Sequence, residues 1–307
     1  MELPSVSISA QPLRLTELSE KPKINLREGL ASYKHQVTQE VTRPLNTYAV
    51  RQKEQPLIAN RLEWFESLPQ SYSVQEENGS VAFSVNEPTG KANFNALFSQ
   101  DIEAICEFKQ GLFRNQRFEI FSSRKFSKIE ERKLGIEFEM LKPAMVLDLE
   151  AMKSLPKNKD CTTKQVTSEK EFATWLQTAY DGFGSSNQAF HTDITPLFTK
   201  GITPGDTHAR FFLGHNKEGV PTTSLMLLLG KETTGLYYVS TLEEFRRQGM
   251  AATVLQDALQ FAKDAGSKSV ILDSESDGAT NLYKRLGFET KRSYYLYESP
   301  MCTVSGA

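Results

Sequence analysis

The stretch EEFRRQGMAAT, residues 243–253, places two arginines directly before a glycine where a long apolar-periodic segment begins. Positive side chains are unfavourable at a helix start, because its unpaired N–H groups already carry about half a positive charge. Glycine lets a ligand approach the backbone, and successive N–H groups at a helix start bind anions. The stretch therefore predicts a cradle for a multiply charged anion such as a pyrophosphate. In the alternative interpretation, Glu243 and Glu244 neutralise the arginines at a solvated turn.

Periodicity after Gly249 predicts a helix that packs one face against a sheet and ends at DAGS, residues 264–267. Its apolar positions are Ala251, Val254, Leu255, Ala258, Leu259 and Ala262. Before it, the segments ARFFLGH, TTSLMLLLG and GLYYVST predict three strands in an antiparallel meander. After it, SVILDS predicts a strand, GATNLYKRLG a helix and RSYYLYES a final strand. Ser168 and Glu171 form a capping-box pattern that predicts one more helix ahead of the meander.

Two motifs on these elements carry a family resemblance. The stretch RRQGMA within VSTLEEFRRQGMA, followed by LYKRLGFE at 282–289, resembles the two signature motifs of the GNAT superfamily of acyl-CoA-dependent N-acetyltransferases. The pair is much more specific than either motif alone. The resemblance covers about residues 160–300. It implies a GNAT-like acetyltransferase fold, which is of the α/β class (α+β with a mixed sheet). It also implies acetyl-CoA as co-substrate.

The resemblance also assigns cofactor-binding positions. In the family, a turn donates backbone N–H groups to the CoA pyrophosphate, and here that pyrophosphate turn comprises Arg247, Gln248, Gly249, Met250, Ala251 and Ala252. The end of the preceding strand pairs its main chain with the pantetheine arm and holds the thioester carbonyl, which implies this role for Val239, Ser240 and Thr241. Ser276 lies where many relatives have a CoA-contacting asparagine, and this is a departure from the family pattern.

Tyr283 falls where the family often has a general acid, and a desolvated hydroxyl can protonate the departing thiolate. Its alternative role is that of a core tyrosine on an amphipathic helix. The general base is not identified by the sequence. Asp273 and Glu275 are carboxylates at the end of a strand, where the simpler interpretation makes both solvated residues. Tyr238 is a candidate for the acceptor cleft, and strand alternation predicts that Tyr237 faces the other side of the sheet.

The segment YDGFGSSNQAFHTDITPLF, residues 180–198, is rich in glycine and aromatic residues and follows the first helix of the resembling region. In GNAT proteins this loop commonly shapes the acceptor pocket. Phe183, Phe190 and His191 are therefore candidate substrate contacts, with a solvated loop as the alternative. The histidines and the three cysteines lack metal-binding spacing, so we expect no metal.

The chain is expected to fall into three parts. Residues 1–45 form a partly ordered extension, residues 46–155 an α/β lobe, and residues 156–307 the acetyltransferase domain. The middle part has the order two strands, helix, strand, helix, strand, but lacks an arginine-glycine turn. We interpret it as a degenerate GNAT-like lobe that lost the cofactor turn, giving a molecule of two lobes. An unrelated α+β interaction domain is the alternative.

Composition limits the partners. The formal net charge of −2 gives no electrostatic reason to expect nucleic acid or an anionic membrane. The longest apolar run, LMLLL, is far too short to span a bilayer, so a cytoplasmic protein is expected. The sequence thus predicts an N-acetyltransferase that acts on an amine-bearing small molecule, peptide or protein by direct attack on acetyl-CoA. The alternative is a non-catalytic acyl-CoA-binding or regulatory module with an N-terminal interaction domain.

Overall fold

A computed structural model describes residue 58 and residues 72–77, 79–85, 95–114, 116–184, 209–230 and 233–300. All of these residues belong to the unit Tyr48–Ala307. The described strands form one 11-stranded sheet, with helices on its faces. The mixed α/β sheet predicted from the sequence is therefore confirmed.

The first half of the sheet is built from short strands and two helices. Its elements are β1 (Tyr72–Glu77), β2 (Ser80–Val85), β3 (Ala96–Phe98), α1 (Ile102–Gln110), β4 (Phe118–Ser122), α2 (Lys128–Leu134) and β5 (Glu137–Asp148). The capping box of Ser127 and Glu130 starts α2, and left-handed Gly135 ends it. A 3-10 turn, Leu149–Ala151, follows β5 and leads to the second half.

From its first helix onward the second half follows the predicted order of elements, whereas the short strand before that helix was not predicted. It comprises β6 (Thr162–Gln165), α3 (Glu169–Phe183), β7 (Ala209–His215), β8 (Pro221–Leu228), β9 (Thr233–Thr241), α4 (Met250–Asp264), β10 (Ser269–Asp273), α5 (Asp277–Leu286) and β11 (Glu289–Ser299). Ser168 caps α3 by accepting a hydrogen bond from the Glu171 N–H, so the predicted helix start is confirmed. The antiparallel meander of β7, β8 and β9 is confirmed as well.

The strand order of the sheet is β1-β2-β3-β4-β11-β5-β10-β9-β8-β7-β6. The two central strands are exchanged between the halves: β11 lies against β4 of the first half, and β5 lies against β10 of the second. On each side of this centre, a parallel pair follows, β3 with β4 and β9 with β10. Each parallel pair is joined through a helix, α1 or α4, so the two halves repeat one topology.

Apolar side chains cover both faces of the sheet. In the second half, Phe172 and Trp175 of α3 pack on one face against Phe211, and their rings lie 4.8–5.6 Å apart at the centroids. On the other face, Val254, Leu255 and Leu259 of α4 are fully buried in a second cluster. The cluster under α3 continues into the first half through residues of β2, β3 and β4, so the halves share a core.

Candidate functional site

Strands β9 and β10 separate near the middle of the sheet. Their parallel pairing covers three residue pairs, from Ser269–Thr233 to Ile271–Gly235. Beyond that point β9 continues to Thr241 along β8, whereas β10 ends at Asp273 against β5. The edge of β9 that faces the gap is therefore not paired with β10 after Gly235. Such an edge offers backbone groups to an extended ligand that carries amides.

A β-bulge reshapes β9 at the gap. Tyr238 has a left-handed backbone with φ of 53°, and the pairing with β8 shifts register between Ser224 and Met226. The Ser224 hydroxyl donates to the Tyr238 carbonyl at 3.3 Å. Because of the bulge, Tyr237 and Tyr238 both pack against the cluster under α3. The prediction that they face opposite sides of the sheet is therefore wrong.

The turn after β9 prepares a helix start that is open to a ligand. Arg247 and Gly249 both have left-handed backbones, with φ of 63° and 80°. Helix α4 then begins at Met250 without a side-chain cap and without an acidic residue in its first turn. A helix start of this kind leaves N–H groups and a partial positive charge available to an anion.

The two arginines of the turn have different roles in the structure. Arg246 donates from Nε to the Thr241 carbonyl at 3.0 Å and from Nη2 to the Gly182 carbonyl at 2.8 Å. Both arginines line the cleft, but these two bonds hold the Arg246 guanidinium against the backbone. Among the ion pairs of the described residues, none joins either arginine to Glu243 or Glu244, so the solvated-turn interpretation finds no support there.

A cleft of about 740 Å³ lies between the end of α3, the end of β9, the pyrophosphate turn and α5. Nine of the ten predicted cofactor-binding residues line it: Val239, Ser240, Thr241, Arg247, Gly249, Met250, Ala251, Ala252 and Ser276. Three arginines, Arg246, Arg247 and Arg285, lie among the described lining residues, and no carboxylate does. The cleft is therefore cationic in a chain whose net charge is −2.

Gln248 is the predicted position that does not line the cleft. Its side chain donates to the Glu244 carbonyl at 2.7 Å, and its own carbonyl accepts from Asn158 at 2.8 Å. Asn281 and Arg285 of α5 line the cleft, although the sequence did not single them out as ligands. They lie five and nine residues after Ser276, and the position of α5 beside the gap brings both to the cleft.

Tyr283 lines the cleft from α5, with 6% of its surface exposed. Burial raises the pKa of its hydroxyl above the ordinary value, and the negative charges of Asp273 and Glu275 raise it further. The hydroxyl therefore stays protonated at neutral pH, as a proton donor must. The ring also packs against Phe288, at 5.6 Å between centroids, so the core interpretation and the donor interpretation are compatible.

Ser276 has a structural role at the start of α5. Its hydroxyl accepts a hydrogen bond from the Ala279 N–H at 3.2 Å and caps the helix. The residue also lines the cleft, where the resemblance implies a cofactor contact. The cap occupies one lone pair of the hydroxyl oxygen and leaves its proton able to donate to a ligand.

The carboxylates at the end of β10 are bound to a lysine from the first half. Lys142 of β5 lies 3.2 Å from Asp273 and 2.7 Å from Glu275. Burial lowers the pKa of Lys142, but the charges of Asp273, Glu275 and Glu119 outweigh it, and the pKa is raised overall. The Asp273 side chain is only 12% exposed, so it is not the solvated strand-end residue of the simpler interpretation.

Of the predicted substrate-binding residues that the structure describes, Phe183 lines the cleft and Tyr238 does not. Phe183 lines the cleft with 40% of its surface exposed at the end of α3. Tyr238 is half-buried under α3, edge-on to Trp175 at 6.1 Å. A side chain at Gly182 would collide with the Ser240 hydroxyl, which shows how closely α3 approaches β9 beside the cleft. Phe190 and His191 lie outside the described residues.

The first half has a matching helix start that is closed to anions. Helix α1 follows β3 as α4 follows β9, but the Asp101 carboxylate caps it by accepting from the N–H groups of Glu103 and Ala104. Glu103 adds a second negative charge in the first turn. A carboxylate at this position occupies the N–H groups and repels a phosphate.

The chain is similar to known acetyltransferases. Residues 174–288 match the family model of the acetyltransferase (GNAT) family. Over 116 residues the chain is 26% identical to N-acetyltransferase 8B of Rattus norvegicus. The matched region covers 36% of this chain and 51% of that protein. The chain thus matches about half the length of this curated relative.

Two solved structures resemble the fold. A GCN5-related N-acetyltransferase from Kribbella flavida has a TM-score of 0.59 at 20% identity, covering 79% of this chain and 96% of its own. A conserved protein from Staphylococcus epidermidis has a TM-score of 0.58 at 15% identity, covering 76% and 96%. At these identities the likeness shows the fold, which is that of GNAT proteins. No helix among the described residues is long and apolar enough to cross a membrane.

Proposed function

Because the chain belongs to the GNAT superfamily, we propose that it transfers an acetyl group from acetyl-CoA to an amine acceptor. The observation that carries the proposal is the cationic cleft, in which an uncapped helix start meets the end of β9 beyond its pairing with β10. The helix start suits the pyrophosphate of the donor, and the strand edge suits its pantetheine amides. Acetyl-CoA combines both groups in one molecule.

In the proposed reaction, the acceptor nitrogen attacks the thioester carbonyl directly. A C–N bond forms to give a tetrahedral intermediate, whose nitrogen loses a proton to water, and the C–S bond then breaks to release CoA. Backbone N–H groups at the end of β9 would polarise the carbonyl, and the cleft would hold both reactants together. Tyr283 would give its proton to the departing thiolate and recover one from solvent.

We propose that an acceptor ammonium loses its proton to water before the attack. This proposal is supported by the lining of the cleft, which includes no carboxylate among the described residues, and by the ion pair that neutralises Asp273. Phe183 would contact the acceptor at the open end of the cleft. The acceptor class stays an amine-bearing small molecule, peptide or protein.

We propose that the first half is a degenerate GNAT-like lobe. The repeated topology supports this, because β3, α1 and β4 correspond to β9, α4 and β10 across the exchanged central strands. The Asp101 cap explains how this half would lack a cofactor site. The proposal predicts one bound CoA per chain rather than two.

Calorimetric titration of acetyl-CoA and CoA tests the proposal, with Ala251→Asp and Ala251→Asn as matched variants. Ala251 lies in the first turn of α4 and lines the cleft. An aspartate there favours the helix dipole, so the fold is kept while the pyrophosphate is repelled. Asparagine has the same shape without the charge.

We expect the wild type to bind both ligands, the asparagine variant to bind more weakly, and the aspartate variant to show the largest loss. A folded wild type that binds neither ligand would contradict the proposal. Binding without release of free thiol across a broad amine screen would instead favour the non-catalytic acyl-CoA-binding module.

A further inference from the structure

The segment that joins the two halves is bound along one side of α4. Residues 152–161 follow the 3-10 turn after β5 and precede β6. The Leu155 N–H donates to the Gln256 Oε1 at 2.8 Å, and the Asn158 N–H donates to the Thr253 Oγ1 at 2.9 Å. Lys157 forms an ion pair with Asp257 of the same helix. The segment thus packs along the first two turns of α4 and supports them.

Asn158 extends these contacts to the pyrophosphate turn. Its Nδ2 donates to the Gln248 carbonyl at 2.8 Å, while its Oδ1 accepts from the Asp160 N–H at 2.8 Å. The second bond fixes which end of the amide is the donor. Gln248 lies between the two left-handed residues Arg247 and Gly249, so its carbonyl belongs to the most constrained part of the turn.

The geometry of a peptide unit gives this contact a consequence for the cleft. In a planar trans peptide, the C=O of Gln248 and the N–H of Gly249 point in opposite directions. Asn158 does not line the cleft, whereas Gly249 does. A bond that holds the Gln248 carbonyl toward Asn158 therefore aims the Gly249 N–H toward the ligand. A flipped peptide would present a carbonyl oxygen to the pyrophosphate instead.

We propose that Asn158 is a positioning residue for the donor pyrophosphate, which it serves by orienting the peptide between Gln248 and Gly249. The proposal rests on the proposed function, since it assumes that the turn binds CoA. Asn158 acts through the turn and makes no contact with the ligand itself. The segment between the halves would thereby be a part of the cofactor site.

The test compares Asn158→Ala with the matched control Asn95→Ala. Asn95 lies in the first half, and its Nδ2 donates to the Arg117 carbonyl at 3.1 Å. Each variant therefore removes an amide that donates to a backbone carbonyl. A second pair, Thr253→Val and Thr253→Ser, removes or keeps the hydroxyl that accepts from the Asn158 N–H. Each variant is titrated in the full chain with CoA and with pantetheine, which lacks the pyrophosphate.

We expect Asn158→Ala to weaken CoA binding about tenfold, which is the factor that one ordinary hydrogen bond represents. Pantetheine binding should not change, because only the pyrophosphate meets the turn. Thr253→Val should weaken CoA binding in the same direction, and Thr253→Ser and Asn95→Ala should not.

The outcomes separate the two proposals. Equal CoA affinity in the wild type and Asn158→Ala would overturn the role of Asn158 and leave the proposed function standing. An equal loss for CoA and pantetheine would show a general structural role and would also overturn it. A wild type that does not bind CoA would overturn the proposed function, and the role of Asn158 with it.

Discussion

The Nη2 atom of Arg246 lies 2.8 Å from the carbonyl oxygen of Gly182, so one guanidinium bridges the end of α3 and the turn after β9. Its Nε also bonds the Thr241 carbonyl at the end of β9, at 3.0 Å. A cation at the C-terminal end of α3 favours the dipole of that helix as well. Arg246 thus connects the end of α3, the end of β9 and the turn that follows β9. The charge of Arg247 is available to a ligand.

The division of labour between the arginines predicts two different phenotypes. Arg246→Ala should lower the free energy of unfolding by about 1 kcal/mol, because charge-assisted bonds to carbonyls are lost at a solvent-exposed site. Arg247→Ala should leave stability unchanged and weaken CoA binding, with a smaller dependence on salt than the wild type shows. Urea denaturation and calorimetry on both variants check this. Matching stability losses in the two variants would contradict it.

Tyr283→Phe should leave CoA affinity and folding intact and lower kcat about a hundredfold, as expected when a general acid is removed. Folding raises the pKa of Tyr283 above its ordinary value near 10. The hydroxyl therefore stays protonated at pH values where a solvent-exposed tyrosine loses its proton. Tyr283 itself should therefore cause no loss of rate between about pH 7 and 9. Single-turnover release of free thiol, followed against pH with an acceptor from the amine screen, checks both statements.

A different result would separate the roles of Tyr283. An unchanged kcat in the phenylalanine variant would leave the tyrosine a packing residue beside Phe288. Loss of CoA affinity in that variant would show that the hydroxyl contributes to donor binding rather than to proton transfer.

Lys142→Met should destabilise the protein by roughly 3–5 kcal/mol, since it leaves Asp273 without its buried counter-ion. Lys291→Met is the control, because its ion pair with Glu289 is solvent-exposed and should contribute little. The pKa of Lys142 is raised by folding, so its stabilisation is fully present below the ordinary pKa near 10.4 and is lost only at higher pH.

Denaturant unfolding at pH 7 and pH 9 measures both effects. The wild type should lose none of the Lys142 contribution between these pH values. Adding Asp273→Asn to Lys142→Met should restore part of the lost stability, and a double variant as unstable as the sum of the singles would contradict the ion-pair explanation.

Periodicity and capping were enough to predict the second half of the fold. Ser168 starts α3, and the apolar spacing from Ala251 to Ala262 describes α4, because both signals are local. The turn before α4 was assigned from the family resemblance, and its binding of a pyrophosphate stays a prediction. The bulge at Tyr238 was not, since a left-handed tyrosine leaves no mark on strand alternation.

Long-range pairings explain what else the sequence did not predict. Asp273 was interpreted as a solvated carboxylate because its partner, Lys142, is 131 positions earlier in the chain. No local pattern in PKNKDCTTK predicts the contacts of Asn158, which donates to Thr253 on α4 and to Gln248 in the turn before it, 95 and 90 residues later. Contacts of this range depend on the register of the sheet, which local patterns do not fix.

The exchange of central strands makes the two halves dependent on each other. A fragment of residues 156–307 lacks β4 and β5, so β10 would lose its antiparallel partner and β11 would lose both of its neighbours. An unpaired central strand exposes backbone groups and apolar side chains such as Leu272, which is almost fully buried in the intact sheet.

We expect the fragment of residues 156–307 to aggregate or remain unfolded, and residues 48–307 to fold and bind CoA as the full chain does. Circular dichroism, size-exclusion chromatography and CoA titration of both fragments measure this. A monomeric, cooperatively unfolding fragment of residues 156–307 that binds CoA would show that β5 is dispensable and that the halves are independent domains.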